Sequence, residues 1–325
     1  MKKTFLNAGK STLLFLLILF SADRAIGYYL EKIYFKLQNG EFYQTIHALT
    51  KAKEDILIFG SSRAMHHYKS HIIEEHFQVP TYNLGRSGKN ILYSYAVFSQ
   101  LLSTYKPKVV ILDVQPSEFS WKAGREGEDA MIDALLPFKD FPEINKNISK
   151  IRKSEILLSN LFKTYPYNTD VAEILGYHYG FINDESNNGY IALKGNKISK
   201  KVKRIEKSEQ VSNDPELIRV FRGFISLAKA NKVELYVVIS PTTRRLNAGS
   251  IHLIKKITQE AKIPLFNYSE LPEFNDYTLF YDGTHLNDQG ATEFTNEIVN
   301  KLSHLKLFSE KFSAKPISDS LGVKL

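Results

Sequence analysis

Three side chains in this sequence are of the types that perform nucleophilic acyl chemistry, although they lie far apart in the chain. Ser62 closes Asp55-Ile56-Leu57-Ile58-Phe59-Gly60-Ser61-Ser62, an apolar run of strand length ending on a glycine, and a helix-like stretch follows it. A serine at a strand-to-helix turn can present its hydroxyl to a carbonyl carbon. Its backbone N–H then lies at the helix start, where donors lack partners and the dipole favours negative charge. The same position also suits an ordinary helix N-cap. Near the other end of the chain stands Tyr281-Asp282-Gly283-Thr284-His285-Leu286-Asn287. The Asp-x-x-His spacing lets both side chains project from one turn. The carboxylate can then orient imidazole Nδ1–H while Nε2 faces Ser62 as its base. Taken singly, Asp282 and His285 suit a solvated surface; joined to a Gly-Ser-Ser strand end they form a specific pattern.

Positioning these groups requires a sheet whose strand ends converge. A second strand is predicted over Val79–Leu84, ending in Asn83-Leu84-Gly85-Arg86-Ser87-Gly88-Lys89-Asn90, and a third over Val109–Leu112, ending in Asp113-Val114-Gln115-Pro116. Helices are predicted over 64–77, 91–105, near 215–231 and near 249–262, with further strands over 233–239 and 263–267. Strands alternating with helices argue for a parallel sheet covered on both faces. In such sheets the working groups gather at the carboxyl ends of the strands. Ser62, Gly88, the Asp113–Pro116 turn and the Asp282/His285 loop all fall there. The N–H groups of Ser62 and Gly88 would hold an oxyanion. Residues 117–215, which include Trp121, are less regular and read as a large insertion or lid.

Other chemistries fit less well. Gly88-Lys89 is a fragment of a phosphate loop, but Asn83 stands at the required earlier glycine and Asn90 at the Mg²⁺-binding Ser or Thr. His66, His67, His71 and His76 include a ligand-like spacing of four, yet no His-Glu-x-x-His order; a solvated helix face accounts for them, and neither metal nor cofactor is expected. The absence of cysteine excludes disulfides, thiolate metal sites and a Cys nucleophile. The net charge of +8 is densest from Lys194 to Lys207, without a nucleic-acid-binding signature. That cluster reads as a solvated face, with contact to anionic lipid or glycan as the lesser option.

The N-terminus carries Lys2, Lys3 and Lys10 ahead of Thr12-Leu13-Leu14-Phe15-Leu16-Leu17-Ile18-Leu19-Phe20. A basic start followed by an apolar run is the pattern of a signal or signal-anchor. Asp23 and Arg24 cut the run short for a full span, although extension to Tyr29 would suffice with thinning or snorkelling. Ser21 to Ala25 is a poor cleavage site, so an uncleaved anchor is expected, with the lysines cytoplasmic and the rest exported. The expected organisation is a membrane segment over 1–30, a juxtamembrane linker helix over 31–54, a catalytic domain over 55–310 and a polar tail over 311–325.

Ile56 to Arg63, Asn83 to Gly88 and Asp282 to Asn287 resemble blocks of the SGNH (GDSL-like) hydrolase superfamily, most closely its membrane-anchored cell-envelope branch, where Gly-Ser-Ser replaces Gly-Asp-Ser. The resemblance covers about 55–120 and 215–305. It implies a flavodoxin-like three-layer α/β/α sandwich with a central parallel sheet. It also implies ester or acyl-transfer activity, Ser62, Asp282 and His285 as triad, and Gly88 as an oxyanion donor. The chain departs after the third strand, where the family often has Gly-x-Asn-Asp and this sequence has Asp113-Val114-Gln115-Pro116. Either Gln115 or another group, from Arg63 or the insertion, then substitutes for that donor, or the enzyme is slow. Arg63 either pairs with an acidic residue or helps to bind an anionic substrate. The expected activity is esterase or acyltransferase chemistry on O-acyl groups of cell-envelope glycan, at the cytoplasmic membrane with the domain on the periplasmic or extracellular side. The alternative is a catalytically weak or inactive envelope protein of the same fold that binds glycan or assists its assembly.

Overall fold

The computed structural model of the chain describes residues 2–198 and 213–305, apart from 245 and 270, together with 308 and 312. The chain opens with α1 (Lys2–Tyr34) and α2 (Gly40–Thr50). Next come β1 (Ile56–Phe59), α3 (Ser62–His67), α4 (Ser70–Phe77), β2 (Thr81–Asn83), α5 (Ile91–Leu101) and β3 (Val109–Asp113). The expected insertion holds α6 (Trp121–Leu135), α7 (Pro142–Leu161), α8 (Val171–His178) and a small hairpin of β4 (Ser186–Asn187) and β5 (Tyr190–Ile191). The chain then returns through α9 (Pro215–Ala230), β6 (Glu234–Ile239), α10 (Ala248–Glu260), β7 (Leu265–Asn267) and α11 (Asp288–Ser303).

Five strands pair in parallel in the order β2-β1-β3-β6-β7, with Ile56 opposite Thr81 on one side and Val109 on the other. This is the doubly wound order whose crevice opens where β1 and β3 diverge, at their carboxyl ends. Alternate strand residues face opposite layers. Leu57, Phe59, Val110, Leu112, Leu235 and Val237 pack in one core with α1, α2 and α5–α10. Ile56, Ile58, Val109, Ile111, Tyr236 and Val238 pack in a second core with α3, α4 and α11. Both faces are covered, which is why the strands read as unbroken apolar runs rather than alternating ones. Each fully buried aliphatic side chain contributes ~1.5–3 kcal/mol.

Three expectations change. The helix predicted over 64–77 divides at Tyr68, which is extended at φ −112° and ψ 107°. There Asn83 Nδ2 donates to the Ala64 and Tyr68 carbonyls at 2.7 and 2.9 Å, satisfying oxygens that a continuous helix would have used. Residues 31–54 are not a linker. α1 runs without a break past residue 30, and Ile33, Tyr34, Leu37, Phe42, Ile46 and Leu49 belong to the larger core. The insertion does not form a separate lid body either, since Phe119, Met131, Leu135, Phe138, Ile148 and Tyr167 join that same core. Asn90, weighed above as a phosphate-loop position, caps α5 by accepting from Leu92 N–H at 3.0 Å. Most of the basic cluster, from Lys200 to Lys207, and the tail over 313–325 lie outside the described residues.

Candidate active site

Ser62 is the first residue of α3, immediately beyond β1. The turn that places it requires Gly60, whose φ is +149°. A Cβ there would meet the Asp113 carbonyl and the Ala64 methyl, each at 2.8 Å. Ser62 Oγ lies 2.8 Å from His285 Nε2, and His285 Nδ1 lies 2.9 and 3.0 Å from the two oxygens of Asp282. The three groups therefore form one hydrogen-bonded chain.

The loop holding Asp282 and His285 is pinched at its base by an antiparallel bridge between Phe280 and Leu286. Within it the Asp282 carboxylate accepts from Thr284 N–H at 2.8 Å, Thr284 Oγ at 2.9 Å and His285 N–H at 2.9 Å. Burial works to raise the Asp282 pKa, but the bond from His285 and those from Thr284 overrule it and bring it down to about 2. An ionised carboxylate at Nδ1 keeps the proton on that nitrogen and leaves the Nε2 lone pair toward Ser62. From the β6 side, the hydroxyls of Thr242 and Thr243 donate to the Gly283 carbonyl at 3.1 and 3.0 Å. The loop is thus tied to two strand ends.

Two further imidazoles border the site. His66 Nδ1–H donates to the Ile191 carbonyl at 2.8 Å, and its ring stands 5.7 Å from that of His285, edge to face. His67 Nε2 accepts from Leu286 N–H at 3.0 Å. Burial lowers both pKa values, that of His66 to about 4, so both rings are neutral at pH 7. The reading of these histidines as a solvated face is corrected: His66 and His67 are buried. The missed signal is that His66 stands four residues after Ser62, on the same helical face. Among the described residues, no cluster of three His, Asp or Glu side chains could hold a metal.

The remaining predicted site residues divide. Gly88 occupies an exposed turn beyond β2, at φ +68°, where Lys89 N–H donates to the Arg86 carbonyl. Gln115 is half-buried beyond β3, its N–H donating to Glu118 Oε1 at 2.8 Å. They thus follow the two strands that flank β1, and neither hydrogen-bonds to Ser62 or His285 among the described residues. Arg63 is corrected as a substrate-binding residue. It is 1% exposed, donates to the Val114 carbonyl at 2.9 Å and pairs with Asp113 Oδ1 at 3.4 Å. With Tyr68 OH donating to Asp113 at 2.7 Å, it ties α3 and the turn after it to the end of β3 behind the serine. The exposed guanidinium at the site is that of Arg244, packed beside Gly283. Lys197 also reaches the site's rim, 4.6 Å from the Tyr281 ring.

Neither a protein-family model nor a curated protein matches the sequence. Several solved structures resemble it at low identity. One, from Desulfitobacterium hafniense DCB-2, is described provisionally as a lipolytic protein of the G-D-S-L family; it is 6% identical with a TM-score of 0.39, over 76% of this chain and 98% of that one. A second, from Bacteroides fragilis NCTC 9343, is described provisionally as an acylhydrolase, at 12% identity and a TM-score of 0.37, over 81% and 99% of the two chains. A GDSL-like lipase from Bacteroides thetaiotaomicron VPI-5482 is 14% identical with a TM-score of 0.35, over 76% and 87%.

Proposed function

We propose that this chain is a membrane-anchored serine hydrolase or acyltransferase of the SGNH type that acts on O-acyl groups of cell-envelope glycan. The observation that carries the reading is the hydrogen-bonded chain from Ser62 through His285 to Asp282 at the carboxyl end of a doubly wound parallel sheet. In this reading Ser62 Oγ bonds to the acyl carbon as its proton passes to His285 Nε2. The carbonyl electron pair moves onto oxygen, where the N–H groups of Ser62 and Gly88 and the side chain of Gln115 receive it. Collapse breaks the bond to the leaving alkoxide, which takes the proton from Nε2. Water or a glycan hydroxyl then adds to the acyl-enzyme, and Ser62 recovers its proton.

Placement at the envelope is supported by α1, whose segment Asn7–Tyr34 is long and apolar enough to cross a bilayer. Lys2, Lys3 and Lys10 lie at the end away from the domain, which favours export of the domain. The unbroken passage of α1 into the core supports an anchor that stays attached. The substitution of Asp113-Val114-Gln115-Pro116 for the usual asparagine block favours a second reading, a glycan-binding module with little turnover, since losing one oxyanion donor costs ~10²–10³ in rate.

The test uses the full chain in detergent micelles. A fluorophosphonate is expected to label it, with the adduct mapping to Ser62, and Ser62→Ala is expected to lower release from p-nitrophenyl acetate and acetylated glycan by at least ~10⁴-fold. Equal inertness of both proteins toward label and esters rejects the enzyme. Glycan retention that survives Ser62→Ala and His285→Ala, without turnover, assigns the second reading.

A further inference from the structure

The apolar part of α1 poses a length problem that the tertiary structure resolves. Between Lys10 and Asp23 the helix spans only ~18 Å at 1.5 Å per residue, against a hydrocarbon core of ~30 Å. Asp23 and Arg24, which end that stretch, do not face water as free charges. The Asp23 carboxylate accepts from Lys163 N–H at 2.8 Å, Thr164 N–H at 3.1 Å and Thr164 Oγ at 2.6 Å. Arg24 donates to the Leu161 carbonyl, lies 3.8 Å from Asp23 and covers the Phe20 ring. Two turns further on, Glu31 pairs with Lys163 at 2.8 Å. Gly27 lets the Lys163 backbone close directly onto the helix, where a Cβ would come within 2.5 Å.

The segments that neutralise these charges are themselves apolar on their outer surface. Leu157 and Leu161, one turn apart on α7, are 60% and 56% exposed, with Phe162 beside them. After α8, Tyr179 hydrogen-bonds to Tyr29 at 2.7 Å, and Phe181 is 86% exposed. Leu13 to Phe20 of α1 are exposed by half or more, and Tyr28 and Tyr29 continue the same open surface. Aromatic side chains ringing the end of an apolar helix suit the bilayer interface, and contiguous exposed apolar surface of this kind marks an interaction site.

We infer that residues 157–163 and 179–181 form a collar that sits in the outer leaflet interface around α1, so that the protein presses against the bilayer. With Asp23 and Arg24 satisfied by the collar, the apolar path runs from Ser11 to Tyr29, ~28 Å at helical rise, which matches the hydrocarbon core. The occupant is lipid because the surface is continuous with α1 at the depth where its span ends. The inference rests on α1 being the anchor, and it adds that the catalytic domain is held at a set distance and orientation relative to the membrane.

The chain has no cysteine, so Leu17→Cys, Leu161→Cys, Phe181→Cys and Ser226→Cys each accept one environment-sensitive fluorophore. Ser226 is exposed on α9 and serves as the aqueous reference. The full chain is reconstituted in phosphatidylcholine–phosphatidylglycerol vesicles containing doxyl-labelled lipid. Labels at 161 and 181 are expected to be quenched severalfold more than the label at 226, by shallow doxyl groups, while the label at 17 responds to deep ones. Quenching at 17 with labels at 161 and 181 behaving like 226 overturns the collar and leaves the anchor standing. Absence of quenching at 17 removes the anchor and the collar with it. Labels at 161 and 181 shielded from aqueous iodide yet untouched by doxyl lipid assign that face to a protein partner and overturn the lipid assignment.

Discussion

At the scale of single residues, the candidate site sets its titratable groups in contrasting environments. Asp282 is kept ionised by donors from its own loop, and His66 and His67 are kept neutral by burial. Arg63 shows how little a charge beside a candidate nucleophile says about its direction. From sequence it could turn outward to an anion or inward to a carboxylate, and only the packing of Asp113 beneath it decides for the inward pair. The same buried region makes Glu118 informative. Burial raises its carboxyl to about 7, against hydrogen bonds from Gln115 N–H and, at 3.0 Å, Ile91 N–H. A carboxyl raised from 4.5 on folding adds stability below pH 4.5, and that contribution is lost as pH rises through about 7. Urea melts between about pH 5 and pH 8.5 are therefore expected to show wild type losing stability relative to Glu118→Gln, by on the order of 3 kcal/mol at most. A constant difference across that range would sink the assignment.

At the scale of elements, the strand-to-helix turn is where sequence and geometry agree most directly. An apolar run ending in glycine forms a buried central strand, and Gly60 then adopts a conformation closed to other residues. Gly60→Ala is expected to cost roughly 1–3 kcal/mol in a thermal melt and to lower turnover more than the stability loss explains, because the added methyl pushes α3 and Ser62 away from His285. A variant with wild-type turnover would show that the turn tolerates another shape. Less legible was the break in the helix after Ser62. Residues 64–77 carry helical periodicity throughout, and the interruption at Tyr68 comes from Asn83, a side chain on a different strand. Local pattern has no access to such a competitor.

At the scale of the whole molecule, the first fifty residues change their meaning. An aromatic-rich stretch after an apolar run reads as a tether, yet Tyr34 is fully buried amid Phe35, Phe42, Phe138 and Tyr167. Tyr34→Ala is accordingly expected to destabilise the entire fold by ~3–5 kcal/mol in urea unfolding, where a tether residue would cost nothing measurable. By itself the sequence determined the layered parallel architecture, the strand ends where the candidate site lies and the apolar character of the N-terminus. Those follow from periodicity and from glycine placement, which are local properties. Tertiary structure alone decided that Ser62 and His285 lie within hydrogen-bond reach, that Arg63 faces inward, that the insertion shares the main core, and that Asp23 and Arg24 find partners on α7 and beyond. Each of these joins groups remote along the chain, and their meeting is set by how the layers pack.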